Sequence, residues 1–215
     1  MIDNTIVQLI KNHSINGVLD VGANTGEYAI NMHTIFPSIK ILSIEANPEC
    51  RDILERNFDG VCEIEYVISC LSDSKRETIF YGTIENPTCT GNSLYRENTK
   101  HYSDEKIIKS TIQTETLDEL LNRTDKMGKY QFMKIDTQGS ELDILKGATE
   151  TLKYVKLIVA ETSILEYTIG SPLQGEIVSY LQNCGFRVLG SVEDHRFDCG
   201  LGAVFQQDLL FEKDS

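Results

Sequence analysis

The stretch Val18-Leu19-Asp20-Val21-Gly22-Ala23-Asn24-Thr25-Gly26 decides how this chain is read. A short run, apolar except for Asp20, meets a glycine, and a second glycine follows just before a helical pattern over residues 27–36 that Pro37 stops. A strand that turns sharply through glycine into a helix opens a βαβ unit. Glycine also lets backbone come close to a ligand, so Gly22 and Gly26 are expected at a cofactor.

The pattern repeats outward from that point. Apolar runs at 39–44, 63–71, 130–135 and 155–160 read as further strands. Helical patterns at 49–58, 117–121, 140–151 and 174–184 separate them, the last closed by Gly185. Residues 2–12 read as an N-terminal helix within segment 1–17, covering a sheet edge. Strands 186–189 and 207–212 have no helix between them and should pair as an antiparallel hairpin. Alternating strands and helices predict an α/β, Rossmann-like open sheet, mostly parallel and seven-stranded, with helices on both faces. A chain of 215 residues is expected to form one such domain. Residues 78–81 read as a short edge strand, and 82–110 as an irregular polar insertion that would form an acceptor lid.

In open parallel sheets, ligands lie outside the carboxyl ends of the strands. Glu45 ends the second strand, and its carboxylate is suited to accept both ribose hydroxyls; Ala46 follows it in the same motif. A dinucleotide cradle usually reads G-x-G-x-x-G, whereas the middle position here is Asn24. S-adenosylmethionine has no pyrophosphate, and Asp20 is placed to hold its α-ammonium. The set Asp20, Gly22, Asn24, Gly26 and Glu45 therefore favours the sulfonium cofactor over NAD. At the end of the third strand, Ser72 or Asp73 is expected at the adenine amino group, with an ordinary polar turn as the other reading.

Asp136 ends the fourth strand, where the methyl group would be presented. It is read as a general base on an acceptor hydroxyl, as a metal ligand, or as a cap of the next helix. Glu161 ends the next strand and is expected beside it, so that the two carboxylates could share a divalent metal such as Mg²⁺. Among the histidines, His13 and His33 fall on covering helices, while His101 and His195 lie in segments able to reach the site from above. His195 is taken with Asp136 and Glu161 as a catalytic candidate. Tyr81, Tyr95 and Tyr102 are available to stack on a sugar ring.

Composition removes other classes. The formal net charge of −13 repels phosphate backbones, so nucleic acid is not an expected partner. Six cysteines lack metal-ligand spacing and read as free thiols. There is no signal peptide pattern and no membrane-spanning apolar run, so a cytoplasmic location is expected. Exposed sheet edges leave a homo-oligomer open.

The motifs also carry a resemblance. Residues 18–26, Glu45-Ala46-Asn47-Pro48, Thr116-Leu117-Asp118-Glu119-Leu120 and above all the run from Lys134 to Ala148 resemble FkbM-type methyltransferases. That family commonly reads K-I-D-V-E-G-x-E-x-x-V-L-x-G-A where this chain has K-I-D-T-Q-G-S-E-L-D-I-L-K-G-A. The resemblance implies the class I methyltransferase fold, S-adenosylmethionine binding and O-methylation of sugars, glycans, polyketides and related natural products, with a small-molecule or glycan hydroxyl as acceptor. Gln138 departs from the family's Glu and keeps the hydrogen-bonding reach without the charge. An NAD-dependent oxidoreductase and a cofactor-binding protein without turnover stand as the alternatives.

Overall fold

The computed structural model describes residues 2–98, 102–103, 105–166, 168–196 and 204–214. In chain order the strands are β1 (Gly17–Val21), β2 (Lys40–Glu45), β3 (Ile64–Ile68), β4 (Cys70–Leu71), β5 (Glu77–Thr83), β6 (Ile107–Glu115), β7 (Phe132–Ile135), β8 (Leu157–Ser163), β9 (Phe186–Arg196) and β10 (Val204–Lys213). The helices are α1 (Asn4–Asn12), α2 (Glu27–Ile35), α3 (Arg51–Phe58), α4 (Leu117–Arg123), α5 (Glu141–Lys146) and α6 (Gln174–Asn183).

Seven strands form one sheet in the order β3-β2-β1-β7-β8-β10-β9. The first five in that order run parallel, and β10 is antiparallel to both β8 and β9. Strand order reverses between β1 and β7, which makes their carboxyl ends the switch point where a ligand crevice opens. The central strands are buried on both faces because their side chains alternate. Val18, Ile41, Phe132 and Leu157 pack under α1, α2 and α3, with Ile6, Ile10, Met32 and Leu54. Leu19, Leu42, Met133 and Ile158 pack on the other side against Leu120, Leu145, Ile177 and Leu181 of α4, α5 and α6. Asp3 caps α1 by accepting the Thr5 N–H at 2.7 Å, and a capping box at Thr116 and Glu119 starts α4.

The expected parallel sheet and C-terminal hairpin are present, and three boundaries differ. The stretch 63–71 is two strands, because the chain leaves β3 and pairs Cys70–Leu71 with β6 in a separate three-stranded sheet. The insertion expected at 82–110 begins and ends in strand: β5 and β6 form a hairpin from Glu77↔Gln113 to Thr83↔Ile107. Most of β6 faces solvent, so backbone pairing orders it without an apolar pattern to reveal it. The edge strand β9 is likewise mostly exposed and runs to Arg196, well past residue 189. Among the described residues, no helix is long and apolar enough to cross a membrane. Cys50, Cys62, Cys70, Cys89 and Cys184 are free thiols. Cys199 and His101 lie outside the described residues.

Candidate active site

The loop after β1 adopts left-handed backbone at Gly22 (φ 81°), Asn24 (φ 47°) and Gly26 (φ 82°). The glycines are required by neighbouring protein. A Cβ at Gly22 would sit 1.8 Å from the Asp136 carbonyl oxygen, and one at Gly26 would sit 2.4 Å from the Phe58 ring. Gly22 lines the cavity described below, whereas Gly26 does not and serves to pack the start of α2 against α3. Asparagine tolerates the left-handed region, and Asn24 uses its side chain. Its amide donates to the Thr88 carbonyl at 3.1 Å.

Glu45 is buried at the end of β2 and is oriented by backbone. One carboxylate oxygen accepts the Asn24 N–H at 2.7 Å and the other the Asn47 N–H at 2.8 Å. Burial pushes its carboxyl above the ordinary value, while these two N–H groups and Lys134 pull against that rise. Asp20 is fully buried. One of its oxygens accepts the Ser43 hydroxyl at 3.2 Å, and the other is buried with no hydrogen-bond partner among the described residues. Burial raises this carboxyl too.

A cavity of about 100 Å³ opens over these strand ends. Gly22, Asn24, Glu45, Ala46 and Asp136 line it, with Ser69, Cys70 and Leu71 on the β3 side, whereas fully buried Asp20 is not among its lining residues. Ser72 is not among its lining residues. That side chain turns toward Asp73, and its N–H bonds the Glu115 carbonyl. The roof comes from the 84–98 segment, through Cys89, Thr90, Asn92, Ser93 and Leu94. Asn47 donates to the Pro87 carbonyl at 2.7 Å, and Ser93 donates to the Thr137 carbonyl at 2.8 Å. The Tyr95 hydroxyl donates to Asp143 at 2.8 Å, and buried Tyr102 donates to Asn92 at 3.0 Å. These two tyrosines fasten the lid, while Tyr81 lies under the Lys109 ammonium. The sequence reading missed Asn47 and Ser93, because a polar residue in a loop carries no signal of which carbonyl it will reach.

Asp136 stands at the end of β7 with both oxygens engaged. Lys134 donates to one at 3.0 Å and Gln138 to the other at 3.0 Å. Burial alone would raise its carboxyl, but Lys134, Gln138 and His195 together hold it below the ordinary value. It does not cap α5. Glu141 ties that turn instead, accepting the Thr137 N–H at 2.7 Å and the Gly139 N–H at 3.0 Å. Gln138 also donates to Glu161 at 2.7 Å, so its amide joins the two carboxylates that were expected to share a metal. Among the described residues, Asp136 belongs to no metal-ligating group; Glu161 meets His195 and Asp208 instead. His195 Nε2 lies 3.3 Å from Asp208 and 4.0 Å from Glu161. Burial pushes the Glu161 carboxyl well up, and Asp136, Glu141 and Asp208 add to the rise. His13 pairs with Glu212 at 2.7 Å, away from the site. A second, more open cavity lies on this side, lined by Asp136, Lys134, Tyr28, His195 and Asp208 and flanked by α1.

With this geometry in view, comparison with known proteins is decisive for the family. The methyltransferase FkbM domain matches residues 20–188. The chain belongs to the FkbM methyltransferase family. It is thus an S-adenosylmethionine-dependent methyltransferase of the class I fold. The chain is 28% identical to the methyltransferase sdnD of Sordaria araneosa over 195 residues, 80% of this chain and 73% of that protein. It is 29% identical to the hexuronic acid methyltransferase AglP of Haloferax volcanii over 146 residues, 66% of this chain but only 54% of that protein. In fold it is similar to the N-terminal domain of EvdMO1 solved with SAH bound (TM-score 0.55, 9% identity, covering 99% of this chain and 80% of that one). It is also similar to the precorrin-6y C5,15-methyltransferase of Geobacter metallireducens (TM-score 0.53, 13% identity, covering 93% and 80%).

Proposed function

We propose that this FkbM-family chain methylates a hydroxyl of a sugar, glycan or related natural product. The observation that carries the reading is the position of Asp136, which lines both the cavity over β1 and β2 and the second cavity flanked by α1. A group with one face on the cofactor and one on the acceptor belongs where methyl transfer occurs. The kinship with a hexuronic acid methyltransferase supports a sugar acceptor.

The residues fit S-adenosylmethionine. Glu45, with each oxygen already aligned by a backbone N–H, has lone pairs left for two ribose hydroxyls. The orphaned Asp20 oxygen suits the α-ammonium, directly or through water. Ser69, Cys70 and Leu71 wall the side on which adenine would lie. When bound, the cofactor supplies an electrophilic methyl: the acceptor oxygen's lone pair makes the C–O bond as the C–S bond breaks and its pair stays on sulfur. Asp136 receives the acceptor proton. Because Lys134 and Gln138 stabilise its ionised form, it is a weak base, and the hydroxyl needs help from Glu161 or His195.

Calorimetric titration of S-adenosylmethionine into wild type and Glu45→Ala tests the cofactor half, with NAD titrated in parallel. Micromolar-range binding weakened about 100-fold or more in the variant is expected, from two charge-assisted hydrogen bonds of about 1.5–3 kcal/mol each. NAD bound in its place would overturn the reading.

A further inference from the structure

We propose that Glu161, His195 and Asp208 hold a divalent cation of the Mn²⁺ or Mg²⁺ class, placed to bind the acceptor hydroxyl beside Asp136. Its use in catalysis rests on the reading above; its occupancy does not.

Three strands bring the ligands together. Asp208 of β10 stands directly across from Glu161 of β8, and His195 of β9 lies on the far side of β10. Like charges directly opposed across an antiparallel pair repel, and a cation between them would relieve that cost. Lys134 acts on both carboxylates by charge from a distance, but its ammonium is bound 3.0 Å from Asp136. The spacing suits an ion. With bonds of about 2.1 Å, ligand atoms in tetrahedral or octahedral sites stand about 3.0–3.4 Å apart. His195 and Asp208 are already at 3.3 Å, and all three ligand atoms lie within 4.8 Å of one another.

The surroundings are those of a built site. Gln138 and Gln206 donate to the same Glu161 oxygen at 2.7 and 3.1 Å, which leaves the other oxygen toward His195. Donors of this kind orient ligating carboxylates. The Tyr28 hydroxyl, buried and without a hydrogen-bond partner among the described residues, lines the same cavity as His195 and Asp208. It would meet a ligand of the ion or the acceptor itself. One imidazole with two carboxylates suits Mn²⁺ and tolerates Mg²⁺. A cation there lowers the pKa of a bound hydroxyl, which lets the weak base Asp136 take the proton.

The test titrates Mn²⁺ into EDTA-treated protein by calorimetry and electron paramagnetic resonance, in wild type, His195→Ala and Asp208→Asn. One Mn²⁺ per chain is expected, with affinity reduced at least about tenfold in each variant. The nitrogen hyperfine coupling of a bound imidazole should appear in wild type and vanish in His195→Ala. Equal affinity in all three proteins, or no binding at about 1 mM Mn²⁺, overturns the site. Far-ultraviolet circular dichroism identifies a variant that fails to fold, in which case Glu161→Gln replaces it. S-adenosylmethionine titrated into the same samples keeps the two readings apart, because its failure to bind counts against the cofactor assignment and not against the ion.

Discussion

Replacing Asn24 by glycine restores a glycine where dinucleotide-binding loops have one, and it should loosen the lid without harming the fold. The Asn24 side chain donates to the Thr88 carbonyl and, at a long 4.0 Å, to Cys50 Sγ, while its backbone N–H holds Glu45. Only the side-chain contacts are lost in Asn24→Gly. A neutral hydrogen bond is worth about 1 kcal/mol net, which corresponds to about a fivefold faster release of cofactor from under the lid. Asn47, Ser93 and Tyr95 still fasten the lid, so full opening is not expected. Asn24→Ala supplies the control. It loses the same bond and in addition forces alanine to φ near 47°, at about 1 kcal/mol of stability. The two variants should therefore release S-adenosylmethionine at similar, raised rates in a stopped-flow chase, but differ in urea midpoint. An unchanged release rate in both would refute the latch. Equal stability of the two would refute the backbone argument.

Asp20→Asn should gain stability relative to wild type as pH rises. Burial raises the Asp20 carboxyl above its ordinary 3.8, so the folded state holds its proton more tightly, and wild-type stability falls as pH climbs from that value through the folded one. Urea unfolding at pH 4.5 and 7.5 should show the variant's advantage growing, and calorimetry should show weaker S-adenosylmethionine binding; an advantage that shrinks would contradict the assignment. Gly26→Ala should destabilise by about 2–3 kcal/mol through left-handed strain and collision with Phe58. Adding Phe58→Ala should remove the collision and leave only the strain, so a double mutant showing no coupling in denaturant would sink that account.

What was legible in the sequence is what local backbone and burial encode. Buried strands such as Val18–Val21 are apolar runs broken only by Asp20, Gly22 announces the turn, and Glu45 ends its strand at the cavity. Those features need few distant partners to be recognised. The strands that frame the 82–110 insertion were hidden for the opposite reason. The strand β6 is ordered by pairing with β5 while most of its side chains face water, so it shows no periodicity.

Gln138 looked like a lost charge in its motif, yet in three dimensions its amide is the donor shared by Asp136 and Glu161. The sequence alone pointed to a mostly parallel α/β sheet, to the family, and to Gly22 and Glu45 at the cavity over the ends of the first two strands. Only the tertiary structure decided that Asp208 and His195 join Glu161, that Gly26 answers to Phe58, and that Asn24 fastens the lid. These are contacts between strands and loops far apart in the chain. They depend on sheet register, where a slip of one residue would turn every such side chain to the opposite face.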